Sequence, residues 1–311
     1  MKYLVTGGAG FIGSHLVRAL LEGGHEVVVV DTLVGKGSAE RLSDCATRIT
    51  LQKHDCADVA WLAQQAQGAA AIFNLAAIPS VPFSIEHPLE AEHSNLTSVL
   101  SSLEAARLAG VPRVVFSSSA AVYGDSGQPV QHEDDKLSPL SPYAVHKLAG
   151  EAYAQMYART RGVSTVCLRY FNIFGDAQDP QSDYAAVIPK FIAAMLAGEQ
   201  PVIFGDGNAT RDFCHVDNVV HANMLAVTQP VERVSDAVVN IGSGRATTIN
   251  ELVDVLNTVM GKNIEPLHVD PRLGDILHSV ADISRAKKLL GYEVKTDFSE
   301  GLRKTVEWYK V

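Results

Sequence analysis

The chain begins Met1-Lys2-Tyr3-Leu4-Val5-Thr6-Gly7-Gly8-Ala9-Gly10-Phe11-Ile12-Gly13. An apolar strand pattern runs into glycines at 7, 10 and 13, and a helical pattern follows at once. Gly7 permits a tight turn, Gly10 lets a ligand approach the backbone, and Gly13 lets the helix pack on the strand. The helix then turns free N–H groups and the positive end of its dipole toward an anion. A second strand, Val27-Val28-Val29-Val30, ends at Asp31, about 20 residues further on. A carboxylate there accepts hydrogen bonds from a ribose and repels a 2′-phosphate. Together these features point to a dinucleotide held by its pyrophosphate, NAD in preference to NADP. Lys36 and Arg41 lie near enough in sequence to soften that preference.

The same alternation continues. Strands are expected at Lys2–Thr6, Glu26–Asp31, Ile49–Lys53, Ala70–Leu75, Arg113–Ser118, Val163–Arg169 and Val238–Ile241. Helices are expected at Phe11–Leu21, Ala57–Ala66, Asn95–Ala109 and Tyr143–Arg161. Such a pattern implies an α/β fold, a doubly wound parallel sheet of Rossmann type with ligands at the carboxyl ends of its strands. After Arg169 glycine, proline and aspartate become frequent, which suggests a smaller α/β substrate-binding lobe. The expected division is 1–169 with 213–242 for the NAD-binding domain, and 170–212 with 243–311 for the lobe. A chain of 311 residues, 47% hydrophobic, can bury cores for both.

Charge and composition exclude several classes. The net charge is −9 with no long basic run, which argues against nucleic acid. An anionic substrate would therefore need a local cationic site. Cys45, Cys56, Cys167 and Cys214 form no Cys-x-x-Cys pair and read as buried free thiols. No histidine spacing suits zinc, His215, Asp217 and His221 read as a helix start, and no metal is expected. Neither a signal peptide nor a membrane span is apparent, so a cytoplasmic protein without membrane contact is expected.

A second motif carries reaction chemistry. Tyr143 and Lys147 stand one turn apart on one helix face. A phenol titrates near ~10, too high for a base at neutral pH. A neighbouring ammonium and a positive nicotinamide ring both favour phenolate. Ser119, at the end of a strand, supplies a hydroxyl at the same sheet edge and can bond the oxygen whose proton Tyr143 removes.

The chain resembles the extended short-chain dehydrogenase/reductase family, and within it the NAD-dependent UDP-sugar 4-epimerases. The matching segments are the glycine turn, Ser117-Ser118-Ser119-Ala120-Ala121-Val122-Tyr123-Gly124, Ser141-Pro142-Tyr143-x-x-x-Lys147, Arg169-Tyr170-Phe171-Asn172, Gly205-Asp206-Gly207 with Arg211-Asp212-Phe213, and Arg272-x-Gly274-Asp275. The resemblance implies that Gly7, Gly10, Phe11, Ile12, Gly13, Asp31, Leu75, Ala76, Ala77, Tyr143, Lys147 and Tyr170 hold NAD, with Asp55 and Cys56 flanking the adenine. It implies that Ser80, Val81, Ser119, Tyr143 and Asn172 face the sugar side, and that Ala186 and Val187 present backbone to the diphosphate. Val202 and Phe204 would enclose uracil, Arg211 and Arg272 would clamp the phosphates, and Asp275 would hold the ribose. Two guanidinium forks suit a diphosphate on an acidic protein.

Dehydratases of the family carry acids just after the catalytic hydroxyl; Ala120-Ala121-Val122 has none. Asn172, and Phe83 where several relatives carry Arg, weaken the case for a uronate substrate. Ser279 lies where resembling epimerases vary the side chain facing the sugar C2 substituent. Its small size favours UDP-N-acetylglucosamine/UDP-N-acetylgalactosamine, with UDP-glucose/UDP-galactose as a second pair. UDP-glucuronate 4-epimerization, or another nucleotide-sugar conversion of the family, is the alternative. A non-catalytic NAD-binding protein would lack Ser119, Tyr143 or Lys147, and all three are present. Finally, Leu96, Val99, Leu100, Leu103, Tyr153, Met156 and Tyr157 place apolar residues on more than one helix face. A homodimer through a two-fold four-helix bundle is expected, as in relatives.

Overall fold

The computed structural model describes residues 1–35, 37, 38, 40–179, 186–271 and 276–310. Its first half alternates β1 (Lys2–Thr6), α1 (Phe11–Glu22), β2 (Glu26–Asp31), β3 (Thr50–Lys53), α2 (Val59–Gln65) and β4 (Ala69–Asn74). Three helices follow, α3 (Val81–Glu86), α4 (Pro88–Glu92) and α5 (Ser98–Ala109), then β5 (Arg113–Ser119), α6 (Pro142–Thr160) and β6 (Ser164–Tyr170). The second half holds β7 (Ile173–Phe174), α7 (Val187–Leu196), β8 (Val202–Phe204), β9 (Thr210–Arg211), β10 (Cys214–His215), α8 (Val216–Thr228), α9 (Val231–Val234) and β11 (Ala237–Ile241). It ends with β12 (Thr247–Thr248), α10 (Ile249–Met260), β13 (Leu267–Val269), β14 (His278–Ser279), α11 (Ser284–Leu290) and α12 (Phe298–Tyr309).

The main sheet is seven-stranded and parallel, in the order β11-β6-β5-β4-β1-β2-β3. Val27–Val30 are all buried, as a strand covered on both faces requires. On one face Leu16 and Leu20 of α1 and Val219, Ala222 and Ala226 of α8 pack against β1, β2 and β6. On the other, Leu62 of α2, Val99 and Leu103 of α5 and Ala154 of α6 pack against β1, β4 and β5. A third apolar cluster lies apart from the sheet, built from α7, α10 and α12 around Phe191, Leu252, Leu256 and Leu302.

Three local expectations need correction. The helix expected from Ala57 starts at Val59, because the Asp58 side chain accepts the Trp61 N–H at 3.1 Å and caps it there. The helix expected over Asn95–Ala109 opens with a wider, π-type turn over His93–Thr97. There the buried Asn95 side chain accepts the Ile78 N–H at 2.7 Å and donates to the Ile78 carbonyl at 3.1 Å. Third, Ala281, Ile283, Ala286, Leu290 and Tyr292 were assigned from sequence to the smaller lobe, yet they are buried with α1 and α8 beneath the sheet. Apolar periodicity marked a buried face without saying what it packs on. His215 is the cap of α8, its Nδ1 accepting the Asp217 N–H at 3.3 Å.

Candidate active site

Strand order reverses between β1 and β4, the place where such a sheet leaves a crevice. The glycine turn lines it. Gly7 has φ +69°, and a Cβ there would lie 2.6 Å from the Ala76 nitrogen. A Cβ on Gly13 would lie 2.3 Å from the Gly7 carbonyl oxygen. Gly10 caps α1 without any side-chain bond, so the cap residue itself leaves the first-turn N–H groups open to a ligand. Asp31 braces the turn, its carboxylate accepting the Ala9 N–H at 3.0 Å and the Leu33 N–H at 2.9 Å. A bare helix N-terminus at such a crevice fits a dinucleotide pyrophosphate.

Across the crevice stand Tyr143 and Lys147, the pair expected to carry the reaction. Ser141 caps α6 by accepting the Ala144 N–H at 3.2 Å, and Pro142 starts the helix. Tyr143 is thus in the first turn, its backbone N–H donating to Ser84 Oγ at 3.1 Å. Lys147 is 2% exposed; its Nζ donates to the Ser117 carbonyl at 2.7 Å and lies 5.8 Å from the Tyr143 ring centroid. Ser119 Oγ accepts the Ala121 N–H at 3.2 Å and bonds the Tyr143 phenol. Burial pushes the Tyr143 phenol above its ordinary value, with the Ser119 bond pulling it down. Burial also draws the Lys147 ammonium down to about 7, with Glu151 opposing. The lowering of the phenol that sequence reasoning assigned to Lys147 is therefore not the dominant effect: burial is, and it acts on both partners.

Gly150 makes this approach possible. A Cβ there would lie 2.7 Å from the Phe116 ring on β5. Gly150→Ala regains about 1 kcal/mol of helix propensity but overpacks the core at about 1–3 kcal/mol. A net loss of up to about 2 kcal/mol is expected in urea unfolding; a raised midpoint would show that α6 can move aside.

A cavity of about 720 Å³ collects most of the expected residues: Gly7, Gly10, Phe11, Ile12, Gly13, Leu75, Ala77, Val81, Ser119, Tyr143, Lys147, Tyr170, Asn172, Ala186, Arg211 and Ser279. A second, of about 580 Å³, shares Asn172, Ala186 and Arg211 with it and adds Val187, Val202 and Phe204. Phe191, Phe213, Ile188 and Ile249 make that second space apolar, a shape suited to a flat base. Asn172 joins the two from a left-handed backbone, φ +33°, which asparagine tolerates better than most residues. Ser279 stands beside Arg211, because β14 pairs in parallel with β9.

Other expected residues do not line either cavity. Asp55 binds His93 Nε2 at 2.7 Å and the Ala57 N–H at 2.9 Å. Cys56 is buried at 7% exposure, the Ala76 carbonyl accepts the Ser98 hydroxyl at 3.3 Å, and Ser80 caps α3. Arg41, weighed above as a selector for NADP, donates to the Ala177 carbonyl at 3.1 Å. Arg272 and Asp275 lie outside the described residues, as does Lys36. Tyr123, Gln131, Gln178 and His278 line the first cavity and Lys190 the second, all missed from sequence because only tertiary contact brings them there.

Residues 3–242 match the family described as "NAD dependent epimerase/dehydratase family". The chain belongs to that family. It is an NAD-dependent epimerase with a Rossmann-type fold. Among solved structures it is similar to the UDP-N-acetylglucosamine 4-epimerase of Methanobrevibacter ruminantium M1, in complex with UDP-N-acetylmuramic acid, at 40% identity and TM-score 0.93, covering 99% of this chain and 98% of that one. The UDP-glucose 4-epimerase of Thermotoga maritima, with UDP-glucose, shares 38% identity at TM-score 0.92 over 100% and 99% of the two chains. The UDP-glucuronic acid 4-epimerase of Bacillus cereus, with UDP-glucuronic acid and NAD, shares 30% at TM-score 0.90 over 100% and 99%. For an NAD-dependent family, the glycine turn at the crevice is the fitting cofactor cradle.

Proposed function

We propose that the protein inverts C4 of a UDP-hexose, with UDP-N-acetylglucosamine and UDP-N-acetylgalactosamine as the preferred pair and UDP-glucose and UDP-galactose as a second. The observation that carries the preference is Ser279, a small hydroxyl side chain lining the same cavity as Tyr143 and Ser119. Bound NAD supplies the hydride acceptor and donor. Tyr143 takes the proton of the 4-hydroxyl, and Ser119 bonds the same oxygen. Since Ser119 Oγ already accepts the Ala121 N–H, its own proton is available to donate. Lys147 would bond the nicotinamide ribose of bound NAD and acts as the positive neighbour of the phenol. Val187 and Ala186 present backbone to the diphosphate, Arg211 binds its phosphates, and Val202 and Phe204 flank the base. Anchored in this way, a 4-keto sugar can turn its other face to the cofactor without leaving.

Arg272 and Asp275 keep the phosphate and ribose roles that the resemblance implies, and Asp31, Asp55 and Cys56 keep theirs at the adenosine end. The uronate reading has less support, because among the described residues Lys147 and Arg211 are the Lys and Arg side chains lining the first cavity, and both have other roles in this reading. Incubation with each UDP-sugar in turn, with products identified by NMR, tests the proposal. Conversion of UDP-glucuronate alone would replace it.

We also propose a homodimer. Val99 and Leu103 of α5 are fully buried against the sheet, whereas Val145, Tyr153 and Met156 of α6 are 49%, 40% and 36% exposed. Ile85 and Leu89 extend that apolar surface at 59% and 85% exposure. An exposed apolar face of this kind on α6 suits a second copy of the chain. Light scattering at micromolar concentration should give twice the chain mass, and Met156→Glu with Tyr153→Glu should give a monomer. A monomeric parent protein would sink this part of the reading.

A further inference from the structure

Three ionisable side chains share one buried patch behind the reaction cavity: Lys147 is 2% exposed, Glu151 3% and Arg169 3%. Glu151 lies four residues after Lys147 on α6, a spacing that brings Cβ atoms to about 5–6 Å. Its carboxylate is fixed from two strands. Arg169 of β6 donates from Nε and Nη2 to the two oxygens at 2.8 Å each. Ser118 of β5 donates its hydroxyl to Oε1 at 2.5 Å. Ser118 directly follows Ser117, whose carbonyl accepts Lys147 Nζ. Arg169 Nη1 also donates to the Tyr123 hydroxyl at 2.8 Å, and that hydroxyl donates to Asn240 Oδ1 at 2.7 Å.

The groups around the ammonium come from several elements. From β5 there are the Ser117 carbonyl and the Phe116 ring, 5.1 Å from Nζ to its centroid. From α6 there are Tyr143 and His146, the latter held toward its neutral form chiefly by burial, with Glu92 of α4 opposing and Lys147 adding to it. Arg169 of β6 reaches the patch through its two bonds to Glu151. Glu151 is the carboxylate whose charge acts on Lys147. Arg169 pairs Glu151 directly, and Ser118, which bonds that carboxylate, is the chain neighbour of Ser117, which bonds the Lys147 ammonium.

We propose that Glu151 is a positioning residue for the reaction: its buried carboxylate, fixed by Arg169 and Ser118 one helical turn from Lys147, preserves the positive neighbour of Tyr143. The proposal rests on the reading of Tyr143 and Lys147 as the reaction pair. Its sign follows from burial. Burial favours the neutral amine and already draws Lys147 down to about 7 with the carboxylate in place. Removing that negative charge makes Lys147 lose its proton at lower pH still. A step that needs charged Lys147 proceeds below that pKa and fails as pH rises through it.

The test is an NMR titration of 13C-labelled lysine in the whole protein, with the Lys147 signal assigned by its loss in Lys147→Met, run beside kcat and KM against pH. In Glu151→Gln the Lys147 midpoint should fall by about 1–3 pH units, and the alkaline limb of kcat should fall with it. KM for the UDP-sugar should hold. Glu151→Asp keeps a carboxylate in the patch and should return the midpoint toward the wild-type value. Should Glu151→Gln fail to fold with Arg169 unpaired, Glu151→Gln combined with Arg169→Gln removes both charges and should still titrate below wild type. A folded variant with the wild-type Lys147 midpoint overturns the proposal, even if its activity is low. Retained turnover in Tyr143→Phe would instead sink the reaction-pair reading and leave the NMR midpoint to judge Glu151.

Discussion

Tyr143→Phe should fold, should hold NAD as the parent protein does, and should lose about 10²- to 10⁴-fold in turnover, the usual contribution of a general acid–base group. The substitution removes one oxygen and leaves the ring beside Lys147 unchanged. The Tyr143 backbone N–H bond to Ser84 Oγ does not involve the phenol, so the start of α6 keeps its anchor. What disappears is the group bonded to Ser119 at the cavity wall, and with it the proton acceptor for the sugar hydroxyl. Single-turnover kinetics with bound NAD would read the effect directly. Wild-type rates would mean that another group takes the proton.

Ser279→Tyr should reverse the sugar preference. Ser279 sits on β14 beside Arg211 of β9, and its carbonyl accepts the Asp212 N–H at 2.7 Å, so the backbone at this point is held. A ring added here must enter the cavity that Tyr143 and Ser119 line. It should overlap a 2-acetamido group and spare a 2-hydroxyl. Overpacking in a tight site costs about 1–3 kcal/mol, roughly 5- to 150-fold in kcat/KM. The kcat/KM for UDP-N-acetylglucosamine should fall by that factor while the value for UDP-glucose holds or rises. Equal losses on both substrates would remove Ser279 as the selector and with it the main support for an N-acetylated hexose.

Much of the fold was legible because its signals are local. Within the turn from Gly7 to Gly13, a Cβ on Gly10 or Gly13 would meet the Gly7 carbonyl of the loop itself. The valine run of β2, the Gly110 stop of α5 at φ +68° and the Ser141-Pro142 start of α6 are likewise written in neighbouring residues. The Tyr143–Lys147 spacing needs only one helical turn to be read. For these features the interacting groups are close in the chain, so a linear pattern carries the physics.

Other features depend on residues that are distant in sequence. Nothing near Glu151 announces that Arg169 and Ser118 will hold it, since those partners arrive from two different strands. The packing of α11 beneath the sheet and the Asn95 contact that widens the turn before α5 are of the same kind. So is the proton affinity of the reaction pair. From sequence, Lys147 was a full positive charge that lowers the Tyr143 phenol; in the fold both are desolvated, and burial opposes the charged form of each. The chain's own order therefore determined the glycine turn, the parallel sheet and the one-turn spacing of Tyr143 and Lys147, through short-range sterics and periodicity. Only the tertiary structure decided how strongly that pair is charged, because desolvation depends on everything that surrounds a group and not on its neighbours in the chain.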